Sequence, residues 1–411
     1  MSERSQCGSL PQALAGTRVL DLTHYVAGPF CTKLLADYGA DVIKVERPSS
    51  GDPGRRLGPF HDDFPHPESS ALFQFLNHNK LGVTLDLKCS AGVKVFELLA
   101  RWAEVVVESF RPGVMAGFGL GYSRIKRLNP GVILTSISNF GQNGPYKDRK
   151  ATEIVEFATG GPMLFTGAAH REPVKLGGRV GMYFAGQVAA MATLTALYRR
   201  MEDGRSGDHV DVSITETQAG SIDRQSALLL NHSYTGRRFS RLAGKKGGFG
   251  QVYPGKDGYM DVQVLGRFQN LLEVLDESDF LERNGSDTSM AYTDTHVIRQ
   301  LDAMLGEWVS SRTQGETWAQ TQAQRTLSAP LYDPVGVASD PGFRARGLWT
   351  EVEDDRLGRR LFPARHMIMR RTPWQMRRRA PDLGQHNRNV YCGMLGLSRR
   401  ELARLRQEGV V

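Results

Sequence analysis

Residues 18–48 read RVLDLTHYVAGPFCTKLLADYGADVIKVERP, and this stretch restricts the fold more than any other. RVLDLT (18–23) is a short apolar run with strand character. GPFCTKLLADYGA is an amphipathic helix closed by glycine, and DVIKVERP (41–48) is a second strand stopped by Pro48. A strand–helix–strand unit favours a parallel sheet, because the helical crossover returns the chain in the same direction. KLGVTLDL (80–87) and AEVVVESF (103–110) read as two more strands around the helix SAGVKVFELLARW, and GVILTSISNF (131–140) as a fifth. The expectation is a doubly wound α/β domain whose strand ends carry the ligand loops. No GxGxxG follows the first strand, so a dinucleotide fingerprint is missing.

Residues 151–203 read as helical around a glycine-rich turn, and HVDVSITETQAG resumes with a strand and then a helix. From about 225 to 330 the texture changes to glycine-rich loops, short strands such as YMDVQVL and polar helices, which reads as a second domain. The last 80 or so residues return to Pro/Arg-rich loops and a final helix, SRRELARLRQEG. No internal repeat is visible.

The chain has 411 residues, 40% of them hydrophobic, enough for two or three domains with real cores. The N-terminal MSERSQCGSLPQALAG lacks the charged-then-apolar order of a signal peptide, and apolar runs fall short of a bilayer span. Cys7, Cys31, Cys89 and Cys392 are widely spaced with no CxxC, which argues against a disulfide framework or a zinc site. The expectation is a reduced, cytoplasmic, soluble protein with no metal and no membrane partner. The net charge of +8 comes from arginine, much of it late: Arg359, Arg360, Arg370, Arg371 and Arg377 to Arg379. A nucleic-acid partner is not expected, since these residues are interleaved with apolar and acidic ones and no nucleic-acid motif accompanies them. An ordinary solvated surface, or an anionic ligand or acidic partner, fits better.

The turn GGRVGMYFA (177–185) feeds the alanine-rich stretch QVAAMATLTALYRR. Amides at a helix start favour anions and glycines let a ligand come close, so this is a common place for a reactive side chain. Yet the turn offers no Ser, Cys, His, Asp or Glu; its centre is Met182.

THYVAGPFCTKLLADYGADVIKVERPSSGDPGR resembles the opening of the class III CoA-transferases, the family that includes the formyl-CoA, carnitine and benzylsuccinate CoA-transferases and α-methylacyl-CoA racemase. The resemblance continues through FLNHNKLGVTLDLK, VVVESFRPGVMAGFGLGY, SNFGQNGPYKDR, GRSGDHVDVSITE and APDLGQHNRNVYCGMLGLSRRELARLRQEGVV. It implies a large Rossmann-like domain built from both chain ends (1–224 and 331–411), a smaller α+β domain (225–330), and two ring-like subunits interlocked as a dimer. It also implies a chemistry. A carboxylate attacks an acyl-CoA thioester, CoA opens the resulting anhydride, and the acceptor acid then attacks the enzyme-bound thioester. Relatives carry that aspartate in Gly-Asp-x-x-x-Gly before an alanine-rich helix. GMYFAG fills the turn here, so the nucleophile falls on Met182, and a thioether forms no anhydride.

The other site residues follow from the same resemblance. Glu153 matches a supporting acid, with three roles open to it: substitute nucleophile, assisting partner, or helix-start carboxylate complementing the dipole. Thr152 stands where racemase relatives place histidine. His24 is either a ligand contact or a structural histidine. Val26 and Ala27 match the thioester end of coenzyme A. Arg47 matches a basic residue at its phosphates, Asn77 to Lys80 the nucleotide loop with Lys80 as its best cation, Ser109 and Phe110 the stretch after the fourth strand, and Lys150 another CoA-contacting lysine. A further basic contact falls on Gly117 and is lost. KKGGFGQ, with Gly247, Gly248, Gly250 and Gln251, resembles a mobile loop that closes over intermediates; a plain surface loop reads as well.

Three functions stay open on this sequence. The chain is a CoA-transferase subunit paired with a homologue that keeps the aspartate, acting on an acyl-CoA such as succinyl-CoA and a carboxylic acid such as a substituted succinate. Alternatively, it is a self-sufficient enzyme using Glu153, or a non-catalytic CoA-thioester-binding scaffold.

Overall fold

The computed structural model describes residues 12–411 except 169, 203, 205, 221–223, 238–249, 265–267, 286–293, 355, 356 and 366. It divides into two compact units. One comprises Met1–Gly167, Pro173–Phe239 and Leu348–Val411, and the other Ala168–Glu172 and Ser240–Gly347. The large unit thus draws on both chain ends. Besides Ala168–Glu172, the smaller unit runs from Ser240 to Gly347 where the sequence suggested 225–330, because α9 (below) and the segment 331–347 fall on the other side of each boundary.

The large unit alternates strands and helices: β1 (Arg18–Leu22), α1 (Ala27–Asp37), β2 (Asp41–Glu46), α2 (Ala71–Asn77), β3 (Lys80–Thr84), α3 (Ser90–Trp102), β4 (Val105–Glu108), α4 (Val114–Gly117), α5 (Tyr122–Leu128) and β5 (Ile133–Ser138). Next come α6 (Glu153–Thr159), α7 (Val180–Glu202), β6 (Asp208–Ser213), α8 (Ile214–Ala219) and α9 (Arg224–Thr235). The six strands form one parallel sheet in the order β3-β2-β1-β4-β5-β6. Both faces are covered, as a parallel sheet requires. Leu20, Ile43, Val83, Val106 and Leu134 face a core shared with α3 and the C-terminal segment. Val19, Val42, Val105, Val107 and Ile133 face α1 and α7. The strand expected over 80–87 stops at Thr84, where the β2 partner ends at Glu46, and 85–88 turns out of the sheet.

Strand order reverses between β1 and β4, so their C-terminal loops diverge there and leave a crevice. α1 and α7 cross tightly behind the sheet. A Cβ on Gly186 would lie 2.5 Å from the Ala27 carbonyl oxygen and 3.1 Å from the Phe30 ring, so only glycine allows that approach. Contrary to expectation, α7 is long and apolar enough to cross a bilayer by length and composition. Its buried residues, Ala185, Ala189, Ala190 and Ala196, are core residues behind the sheet.

The smaller unit holds an antiparallel sheet of β7 (Gly250–Pro254), β8 (Tyr259–Gln263) and β9 (Leu327–Leu331). Its helices are α10 (Phe268–Val274), α11 (Phe280–Arg283), α12 (Thr295–Ser310), α13 (Gln314–Ala323), α14 (Pro334–Ser339) and α15 (Pro341–Ala345). Met260, Val262, Leu271, Leu301 and Leu305 form its core. The chain then returns to the large unit through a hairpin, β10 (Trp349–Asp354) and β11 (Gly358–Pro363), and ends in α16 (Arg399–Gln407).

Candidate functional site

The loop after β1 is fixed by buried charges. Asp21 is fully buried and accepts from the Thr23 amide (2.9 Å), the Thr23 and Thr32 hydroxyls (2.6 Å each) and Lys80 Nζ (3.0 Å). Burial alone would raise the Asp21 carboxyl; the Lys80 and Lys44 ammoniums and the two hydroxyls outweigh it and hold it far below the usual carboxylate range. Lys44 donates to the Thr23 carbonyl (3.0 Å) and pairs with Asp52 (2.9 Å), whose other oxygen accepts from the Tyr25 and Gly54 amides at 3.0 and 2.7 Å. Gly28 closes the turn. A Cβ there would sit 2.3 Å from Thr23 Cβ.

This network takes up two of the side chains that the sequence assigned to coenzyme A. Lys80 Nζ is fully buried and also donates to the Pro29 carbonyl (2.9 Å), Thr32 Oγ1 (2.8 Å) and Asn77 Oδ1 (2.9 Å). Asn77 is buried as well, and its amide donates to Phe73 O at 2.9 Å. Both side chains are committed to the fold and present no polar atom to a phosphate. Val26 and Ala27, 2% and 5% exposed, place their side chains in the two cores rather than toward solvent.

A cleft of about 320 Å³ opens at the C-terminal ends of β1 to β4. Leu22, Val45, Leu85, Leu87, Phe110 and Phe118 supply apolar walls; His24, Arg47, Ser49, Ser50, Asp86 and Lys88 supply polar groups. Among the described residues neither Arg47 nor Lys88 has an ion-pair partner, and both are exposed. Phe110 meets His24 edge-on (5.4 Å, 73°) and Phe118 edge-on (6.2 Å, 89°). Ser109 Oγ accepts from the His24 amide at 2.9 Å and so ties the β4 loop to the β1 loop. Burial holds the His24 imidazole below its ordinary value, which keeps it neutral. Apolar walls with two unpaired cations suit a flat heterocycle carrying phosphates.

Of the expected CoA contacts, Arg47 and Phe110 line this cleft; Ser109 positions its wall; Lys150 is exposed ahead of α6 and does not line it. Sequence reasoning missed Leu85, Leu87 and Lys88. The signal was present in KLGVTLDLK: the residues just past a parallel strand's C-terminal end are where such sheets bind ligands.

Met182 lies in the first turn of α7, which begins at Val180 and not near Ala185 as the sequence suggested. Its half-buried side chain packs with Val26, Phe30 and Leu76, beside Phe75 and Tyr183. Glu153 opens α6, and its Oε1 accepts from the Gly181 amide at 3.2 Å while Oε2 pairs with Lys175 at 3.3 Å. Lys175 also donates to the Leu176 and Gly178 carbonyls at 2.7 and 2.6 Å, fixing the turn before α7. A carboxylate at a helix N-terminus meets unpaired amides and the positive end of the dipole, so Glu153 serves as an external cap for α7. Three residues on, Glu156 is 1% exposed with no hydrogen-bond partner on either oxygen, and burial, then the neighbouring Glu153, pushes its carboxyl up to about 7.

Gly247 and Gly248 lie outside the described residues; Gly250 and Gln251 open β7, where Gln251 donates to Asp302 at 3.1 Å. Among the described residues no group of three or more His, Cys, Asp or Glu is placed to hold a metal.

Comparison with known proteins agrees with this architecture. The sequence profile described as CoA-transferase family III matches residues 14–387. The chain is 31% identical to a succinyl-CoA–D-citramalate CoA-transferase of Chloroflexus aurantiacus over 98% of both chains. It is 31% identical to a formyl-CoA:oxalate CoA-transferase of Rhodopseudomonas palustris, again over 98% of both, and 30% identical to a succinate–glutarate CoA-transferase of Agrobacterium fabrum over 94% and 96%. The crystal structure of a CAIB/BAIF family protein from Brucella suis superposes with a TM-score of 0.81 at 26% identity, covering 93% of this chain and 99% of that one. A parallel sheet with a cleft at the β1/β4 reversal, a glycine-tight α1–α7 crossing and full-length similarity lead to one assignment: the chain belongs to CoA-transferase family III.

Proposed function

We propose that this chain is the subunit of a heteromeric CoA-transferase that lacks the acyl-carrying carboxylate and is paired with a homologous chain that keeps it. The observation that carries this reading is Met182, a thioether at the turn where the family resemblance puts the nucleophile; a cleft that Met182 does not itself line carries two exposed cations and an aromatic wall. Glu153 is a poor replacement. Its two oxygens hold the Gly181 amide and Lys175, so attack on a thioester would break both contacts.

The exposed apolar surface supports a protein partner. Met191, Tyr198 and Met201 on α7 are 63%, 68% and 81% exposed, and Leu230 and Tyr234 on α9 are 59% and 87% exposed. A homologous chain interlocked with this one would cover such faces. The substrates under this reading are an acyl-CoA and a carboxylic acid. Two of the relatives are named for transfers that pair succinyl-CoA or succinate with a second carboxylate, which supports a succinyl donor and a substituted succinate, benzylsuccinate being one case, as acceptor. In this arrangement Arg47 and Lys88 hold CoA phosphates, Phe110 and Phe118 take the heterocycle, and the partner's aspartate carries the acyl group.

Hydroxylamine trapping tests the proposal. It converts an acyl-enzyme anhydride or thioester into a hydroxamate that shifts peptide mass. After incubation with succinyl-CoA, the isolated chain should give none, and a co-purifying homologue should carry the label on an aspartate. A hydroxamate on Glu153 of the isolated chain would sink the partner-subunit reading.

A further inference from the structure

The aromatic wall of the cleft rests on a carboxyl group that the chemistry above does not use. Glu108 is the last residue of β4 and is 4% exposed. Strand alternation puts it on the same sheet face as Val106, whose neighbours are Leu20, Leu134 and the rest of an apolar core. An ionisable group there costs several kcal/mol unless its oxygens are satisfied. Oε2 accepts from the Phe110 amide at 2.7 Å, and Ser136 is the residue paired with Glu108 on β5.

On that neighbouring strand Ser136 Oγ is hydrogen-bonded to His209 Nε2 of β6 at 3.0 Å. His209 is stacked on Tyr122 at 5.0 Å and 25°, so the ring is held in plane for that bond. Glu108, Ser136 and His209 thus lie on three adjacent strands, with the Phe110 main chain bonded to the first.

Phe110 begins the turn that leads through Pro112 and Gly113 (φ 85°) into α4, and its ring lines the cleft. Its amide has no strand partner, since β4 ends at Glu108. From this geometry we infer that Glu108 is a positioning residue for coenzyme A: its carboxylate fixes the Phe110 amide and thereby the ring that forms the cleft wall. This rests on the reading of the cleft as a CoA site. Burial pushes the Glu108 carboxyl up to about 7, against the bonds from Ser136 and Phe110 that favour ionisation; Asp211 of β6 is the other charge acting on it and pushes the same way as burial. The anchor is therefore strongest above neutral pH.

The test uses the full chain, coenzyme A as the probe, and two readouts. Calorimetry at pH 8 compares wild type with Glu108→Gln and Glu108→Ala. Glutamine keeps an oxygen for the Phe110 amide and should bind CoA within about threefold of wild type, whereas alanine should bind about tenfold more weakly. Amide hydrogen exchange at Phe110 is the second readout. It should be slow in wild type and Glu108→Gln and faster in Glu108→Ala, without a matching rise at the β5 amides. Wild-type binding with an unchanged affinity in Glu108→Ala would overturn the inference alone. Equal losses in both variants would also overturn it, because they would show that the charge or the packing, not the acceptor, matters. Failure of the wild type to bind CoA would overturn the reading of the cleft itself, and the inference with it.

Discussion

The Gly181 amide donates to Glu153 Oε1 at 3.2 Å, which sets a carboxylate from the start of α6 on the first turn of α7, one residue before Met182. That carboxylate is thus a helix cap, and the side chain that follows the capped amide is a thioether, which forms no acyl anhydride.

Restoring a carboxylate at this position gives the first prediction. Met182→Asp should acquire a hydroxylamine-sensitive acyl group after exposure to succinyl-CoA, which mass spectrometry of the peptide containing residue 182 detects. The change also places a charge in the cluster of Val26, Phe30 and Leu76. The expected loss in stability is about 1–3 kcal/mol, reduced by the α7 N-terminus.

Lysines 80 and 88 should behave oppositely. Lys80→Met leaves Asp21 buried without its ammonium and should lower stability by about 3–5 kcal/mol. Lys88→Ala and Arg47→Ala alter exposed groups. They should leave the melting temperature nearly unchanged while each weakens CoA binding by about 1–3 kcal/mol. Thermal melts and calorimetry on the three variants separate the two roles. A stable Lys80→Met with lost CoA affinity would return Lys80 to the binding site.

Gly186→Ala should destabilise by about 1–3 kcal/mol, because its Cβ would meet the Ala27 carbonyl oxygen at 2.5 Å and neither backbone can yield without moving the α1–α7 crossing. Gly117 is the control. Nothing lies within 4 Å of a Cβ there, so Gly117→Ala should be near neutral or slightly stabilising. Urea unfolding measures both.

Glu156 sets a pH dependence of defined sign. Its carboxyl is raised from 4.5 to about 7 by burial, so between those values the folded chain holds a proton that the unfolded chain has released. Its contribution to stability is full below 4.5 and is lost as pH rises toward 7, by about 3 kcal/mol in all. His78, a buried imidazole held down to about 3, runs the other way below 6.5, so the raw curve mixes the two. The difference between wild type and Glu156→Gln isolates the glutamate. Wild type should lose ground to the variant as pH rises from 4.5 to 7, and a flat difference would remove the buried carboxyl from the account.

The sequence by itself determined the sheet. Apolar runs at 18–23, 41–48, 103–110 and 131–140, separated by an amphipathic helix or a glycine stop, have periodicities that any parallel α/β packing must respect. That residue 182 is a methionine is likewise read directly, because identity at one position needs no geometry. What only the tertiary structure decided was which cations face solvent. Lys80 and Lys88 stand eight residues apart in one block, both near a strand, and nothing local distinguishes them. The fold does so by bringing Asp21, Thr32 and Asn77 around the first and leaving the second past the last β2–β3 pair. The same holds for Glu153, whose amide partner lies 28 residues away on α7. A side chain's charge is written in its own codon; whether that charge is neutralised, capped or presented depends on groups distant in the chain, and only the packed fold brings them together.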